Sequence, residues 1–241
     1  MQQTQTRITY LYHSGFTVET ADCFLIFDYY QPAVKQAKTT AGILTRELLE
    51  TKSRVYVFAS HSHADHFDPA ILTWADLTTV NYIMSSDIRV NPPLPRSHLL
   101  SPYETFRDNR LAVQTFGSTD QGVSFLVETG NFTLFHAGDL NWWQWSEDSP
   151  TDQAKAVSDF KAEIAKIAGH RIDLAFFPVD RRLEEYYAHG ALYFAAQLRP
   201  KLLIPMHFGS DYQATAAFAD QARNLSINTL EITHRGQEFT F

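Results

Sequence analysis

The chain has 241 residues, 44% hydrophobic and 14% aromatic, which is enough apolar content to bury a sizeable core and excludes compositional disorder. A formal net charge of −7 excludes a general binder of nucleic acid or anionic membranes, while leaving room for a local basic pocket. The one cysteine, Cys23, cannot form an internal disulfide, and its apolar run Cys23-Phe24-Leu25-Ile26-Phe27 reads as a buried, inert thiol.

Met1 to Arg7 is polar and lacks the apolar core of a signal peptide. No stretch approaches the roughly 18 consecutive apolar residues of a membrane span, so the expectation is a cytoplasmic protein. Three β-like runs follow, Ile8 to Tyr12, Phe16 to Thr20 and Cys23 to Asp28, separated by Ser14-Gly15 and Ala21-Asp22. That spacing suits an antiparallel meander. Thr39 to Thr51 reads as a short helix, with Ile43, Leu44, Leu48 and Leu49 on one stripe. Val55 to Ala59 is continuously apolar, the pattern of a strand covered on both faces. It leads directly into His61-Ser62-His63-Ala64-Asp65-His66.

Asp68-Pro69 starts a helix, with Asp68 as cap and Pro69 at the first position. The segment 80–135 is strand-rich: Val80 to Met84, His98 to Leu100, Leu111 to Phe116, Val123 to Glu128 and Phe132 to Phe135, with a tight connection at Thr129-Gly130-Asn131. Thr151 to Ala168 has helical spacing and Gly169 as its stop. A strand at Leu174 to Phe177, helices around 189–198 and 212–223, and strands at Leu202 to Pro205, Thr229 to Thr233 and Glu238 to Phe241 complete the chain. No linker or repeat divides it, so one domain spanning 1–241 with layered α and β is expected.

The histidine cluster carries the chemistry. Three imidazoles and a carboxylate within six residues would repel or desolvate one another without a cation, and zinc takes such N and O ligands at about 2.0–2.2 Å. The alternative is a His-rich surface loop, which its position at the end of a buried strand disfavours. No Gly-rich phosphate loop, Gly-x-Ser-x-Gly elbow or Cys-x-x-Cys pair competes with it.

His-x-His-x-Asp-His after a hydrophobic strand resembles the signature of the metallo-β-lactamase superfamily. Phe135-His136-Ala137-Gly138-Asp139 looks like its strand-end aspartate, and Ile204-Pro205-Met206-His207-Phe208 like its last histidine. His13-Ser14-Gly15-Phe16 is similar to the opening of the ascorbate-6-phosphate lactonase-like branch. The resemblance implies an α/β, four-layer αβ/βα sandwich: two mixed sheets face to face, helices outside. It implies that His61 and His63 bind one metal, that Asp65, His66 and His207 bind a second, and that Asp139 bridges them. A carboxylate bridge suits two cations about 3.5–4 Å apart.

One departure stands out. The family carries a further histidine between signature and bridging aspartate, yet Phe116-Gly117-Ser118-Thr119-Asp120 has none. Asp120 and His136 are the two candidates to replace it, and loss of one ion is the third option. The expected cofactor is therefore one or two divalent transition metal ions, zinc first, with manganese or iron as alternatives.

Asp65, His13 and His136 are the expected catalytic residues, with Asp65 orienting the attacking hydroxide. Asp28, at a strand end, is a candidate buttress of His13 or a plain cap. Trp142, Trp143 and Trp145 are candidate pocket walls and Arg182 a candidate anion contact, each set against ordinary packing or a solvated arginine. The implied activity is a hydrolase using a metal-bound hydroxide on a small, anionic ester, lactone or phosphorylated metabolite. The alternatives are a phosphodiesterase or nuclease, and a degenerate metal-stabilised binding protein with little turnover. Expected partners are a small molecule, no nucleic acid and no membrane; a homo-oligomer stays open.

Overall fold

The computed structural model describes residues 5–32 and 41–241. The first half of the chain builds a sheet from β1 (Arg7–Tyr12), β2 (Gly15–Glu19), β3 (Phe24–Phe27), β4 (Val55–Ala59), β5 (Val80–Ser85) and β6 (Ser97–Leu100). The C-terminal β13 (Glu238–Thr240) returns to pair with β1, giving the order β13-β1-β2-β3-β4-β5-β6. The second sheet runs β12 (Leu202–Met206), β11 (Leu174–Pro178), β10 (Phe132–His136), β9 (Ser124–Thr129), β8 (Leu111–Phe116), β7 (Thr105–Arg107). β1 to β3 form the antiparallel meander read from the turn residues. β4 lies between β3 and β5, parallel to both and buried throughout, as its unbroken apolar run requires.

The two sheets pack face to face through aromatic side chains: Phe16 of β2 stacks on Phe176 of β11 with ring centroids 4.3 Å apart. α2 (Pro150–Ile167) and α3 (His189–Leu198) cover the second sheet, and α4 (Gln213–Asn224) buries Phe218 and Ala222 in the same core. The outer face of the first sheet is covered by α1 (Arg46–Glu50) and a 3-10 helix, Pro69–Trp74, through Leu49, Ile71 and Trp74. The fold is the expected αβ/βα sandwich. Among the described residues, no helix is long and apolar enough to cross a membrane.

Local differences from the sequence reading have local causes. The helix expected over 39–51 forms only from Arg46, where the Thr45 side chain caps it; Thr39 and Thr40 lie outside the described residues. Asp68 caps and Pro69 opens a helix as expected, but as a 3-10 turn. β7 is a short edge strand with little apolar signal, and 229–233 makes only an isolated bridge from Thr229 to Leu203.

The topology decides where function can sit. β1, β3 and β4 run the same way, as do β8, β10, β11 and β12. Their C-terminal ends release His13, Asp28, the 60–66 loop, Asp120, Asp139, Asp180 and His207. These candidate residues thus follow the carboxyl ends of strands, where open α/β sheets place their ligands.

Candidate metal centre

His61 and His66 are buried, whereas Asp65 and His63 reach toward solvent. The ring of His61 is brought within 3.0 Å of His63 (Nε2 to Nδ1), and within 3.4 Å of Asp139 Oδ2. His66 Nε2 and His207 Nε2 both face Asp139 Oδ1, at 3.2 and 3.4 Å. Two ligands at about 2.1 Å from one ion, spread over a tetrahedral angle, stand roughly 3.4 Å apart. The three separations from Asp139 match that spacing better than the 2.9–3.0 Å usual for N–H···O bonds. His66 Nε2 and Asp139 Oδ1 are buried and make no hydrogen bond. Buried polar atoms are rarely left so, and a shared cation accounts for both. Among the described residues, donor atoms within 4.8 Å of one another form three overlapping groups: His13, Asp65, His66 and His207; His61, His66 and Asp139; and His63, Asp120 and Asp139.

The arrangement departs from the implied ligand sets in two ways. His61 and His63 touch but fall into different groups, and Asp120 joins His63 where the absent histidine was expected. His136 does not join the cluster. It is fully buried, its Nε2–H donates to Ser14 O at 2.9 Å, its Nδ1 accepts from Gly138 N, and it stacks on Phe27. Both nitrogens are used within the fold, the arrangement of a satisfied core histidine, so neither is left facing the cluster or the cleft.

Two of these imidazoles are held from behind. Asp28 is wholly buried. It accepts from His66 Nδ1 at 2.7 Å, from Ser60 N at 2.8 Å and from Ser60 Oγ at 2.7 Å. It therefore supports His66, not His13 as one reading of the sequence had it. Asp180 does the same for His207, at 3.0 Å from Nδ1. Such carboxylate–imidazole pairs keep a proton on Nδ1 and leave Nε2 as the nitrogen that faces the cluster. Asp180, which sequence reasoning passed over, has the same signal as Asp28: an acid just beyond a buried apolar strand.

The electrostatics follow from this burial. Burial pushes Asp28 up, but the facing His66 and His136 rings outweigh it and hold the carboxyl at about 2. Burial opposes charge on His66 too, yet Asp28 and Asp139 raise it to about 9. Burial lowers His61 and His13 to about 4, leaving both neutral at pH 7. Asp139 is raised by burial, while the His13 imidazole holds Asp65 well below the usual carboxylate range.

A cleft of about 340 Å³ opens over the cluster, lined by His63, Asp65, Asp120, Asp139, Trp143, Trp145, Arg182 and His207. Trp143 and Trp145 lie nearly parallel, 7° apart, and Trp143 Nε1 donates to Asp139 O. Trp142 instead packs on Phe160 and Tyr193 beneath α2 and α3. Arg182 is held by Asp180, its Nε 2.9 Å from the carboxylate, with most of the side chain exposed.

Residues 7–148 match the family profile described as Beta-lactamase superfamily domain. A metal-dependent hydrolase of Desulforamulus reducens is 24% identical over 251 residues, covering 93% of this chain and 96% of the relative. Among solved structures, the chain is similar to Igni18, a metallo hydrolase from Ignicoccus hospitalis, with a TM-score of 0.68, 18% identity and 99% of each chain covered. It is also similar to the metallo-β-lactamase fold protein YhfI from Bacillus subtilis, with a TM-score of 0.61, 11% identity, and 99% and 100% of the two chains covered.

Proposed function

Because the chain belongs to the β-lactamase superfamily, whose profile matches more than half of it, and has the metallo-β-lactamase fold, we propose that it is a metal-dependent hydrolase. Its substrate in this reading is a small anionic ester, lactone or phosphorylated metabolite. The observation that carries the proposal is the set of buried, unbonded donor atoms at ligand spacing beneath a cleft. The names of the curated relatives, all metal-dependent hydrolases, agree with it.

The ligands in this reading are His61, His63, Asp65, His66, Asp139 and His207, with Asp120 in place of the absent histidine. Imidazole and carboxylate donors without thiolate suit zinc, and manganese or iron next. A divalent metal bound there supplies Lewis-acid polarisation of the scissile group and lowers the pKa of water. Asp139, shared by two of the donor groups, is the natural bridge if two ions bind. Asp65, ionised and facing the cleft, orients the attacking water by accepting its hydrogen bond. Arg182, aimed by Asp180, receives the anionic group of the substrate. Trp143 and Trp145 exclude water on one side. The cleft volume favours a metabolite over a polymer, and the whole chain works as one unit, since its ligands come from residues 61 to 207.

The test is a hydrolysis screen of lactones, carboxylic esters and phosphodiesters with zinc- and manganese-loaded protein. Turnover of at least one class is expected, abolished by chelation and reduced about a hundredfold or more in Asp139→Ala with the fold intact. Turnover of Asp139→Ala within about twofold of the parent would sink the assignment of the bridging aspartate. Tight binding of metal and substrate with no turnover would favour the degenerate binding protein.

A further inference from the structure

His13 belongs to no ligand set implied by the signature residues, yet it sits in the cluster. It follows β1, in the other sheet from His207, and its backbone is at φ +54°, a region a histidine adopts only at a cost. Two hydrogen bonds and a tight turn hold it there. Its N–H donates to Tyr10 Oη at 2.9 Å, its carbonyl accepts from His207 N at 3.1 Å, and the chain turns at Gly15, where any Cβ would lie 2.9 Å from Tyr12 O. His207 is itself at φ +65°, so two strained histidines from opposite sheets are joined back to back. Strain retained at a position over-determined in this way points to a use for the side chain.

The side chain ends in the cluster. His13 Nε2 is buried and unbonded, 3.4 Å from Asp65 Oδ2, the ligand–ligand spacing already met around Asp139. The His13 ring lies 4.2 Å from the ring of His207 and 5.6 Å from that of His66. We infer that His13 is a direct ligand, through Nε2, of the ion held by Asp65, His66 and His207. This rests on the metal reading above and deepens it. With four ligands of its own, that site is the closed, tight one. The site of His61, His63 and Asp120 is the weaker and more open, and so the one left to exchange water for substrate. The competing role for His13 is a hydrogen bond to Asp65, which would make it a positioning residue.

The experiment titrates metal-free protein with Co(II) at fixed pH and follows both affinity and the paramagnetically shifted imidazole N–H proton signals. At one equivalent the wild type should show three such signals, from His13, His66 and His207. His13→Asn, a residue that tolerates the left-handed backbone, should lose one signal and weaken the first step by about a hundredfold or more, beyond the range of second-layer substitutions. Two signals in the wild type, or an unchanged first step in His13→Asn, would overturn the inference while leaving the metal centre standing. The signal count needs only the wild type, so it decides even if the variant folds poorly. No Co(II) binding by the wild type would overturn this inference and the hydrolase reading together.

Discussion

At the residue scale, the carboxylates behind the cluster are as specific as the imidazoles they support. Asp28 is a buried carboxylate whose acceptor capacity is spent on Ser60 and His66. In Asp28→Asn, an N–H₂ would take the place of one acceptor and oppose the His66 Nδ1–H. Metal affinity is expected to fall about 10–100-fold, measured by competition with a chelating dye; unchanged affinity would show that His66 needs no such support. The sequence is readable here where ligands are adjacent and opaque where they are not. His61 to His66 declare themselves by density. Asp28 and Asp180 are single acids behind apolar strands, and nothing local says which imidazole each will meet, because the partner lies 38 or 27 residues away. His136 is ambiguous for the matching reason: it lies three residues from Asp139 in sequence, yet its ring stacks on Phe27 in the core.

At the element scale, strand ends and tight turns aim these residues. Gly122 shows how little room there is: at φ +77°, a Cβ would fall 2.0 Å from Ser60 O and 2.5 Å from His61 Cβ. The loop after β8 is thereby clamped onto the loop after β4, and Val123 N–H donates to Ser60 O at 2.9 Å. Strand order in the second sheet has its own clamp in Asp173, just before β11. Its carboxylate accepts from Thr133 N at 3.0 Å and pairs with Arg171 and with Lys201. Burial pushes Asp173 up, but Lys201, the Thr133 N–H and Arg171 outweigh it and hold the group below its ordinary value. A depressed folded-state pKa contributes stability above the unfolded value of about 3.9 and loses it as pH falls toward the folded value. Asp173→Asn is therefore expected to lower the urea midpoint at pH 7 and to flatten the acid limb of stability below about pH 4. An unchanged midpoint with an unchanged limb would show the cluster to be inert. Long buried strands and capped helices were legible in advance. β7 was not, because a short edge segment buries too little to leave a period in the sequence, and 229–233, read as a strand, makes only a single bridge.

At the scale of the whole molecule, the donor groups draw on both sheets and on residues from 13 to 207, so the centre exists only when the two sheets are packed. The pattern of a strand-rich first half and an alternating second half was enough to read layered α and β, while the sandwich itself was implied by the resemblance of the histidine and aspartate motifs to a known family. The convergence of its strand ends on one edge had to come from the pairing itself. Binding to this assembled state, and not to the unfolded chain, couples metal to stability by mass action. The measurement that bears most directly on the account is the metal content of purified protein by elemental analysis, with thermal unfolding before and after chelation. At least about one equivalent of a divalent transition metal and a melting temperature that falls when it is removed are expected. Less than about 0.2 equivalents after incubation with zinc and with manganese, and a melting temperature indifferent to both, would contradict it.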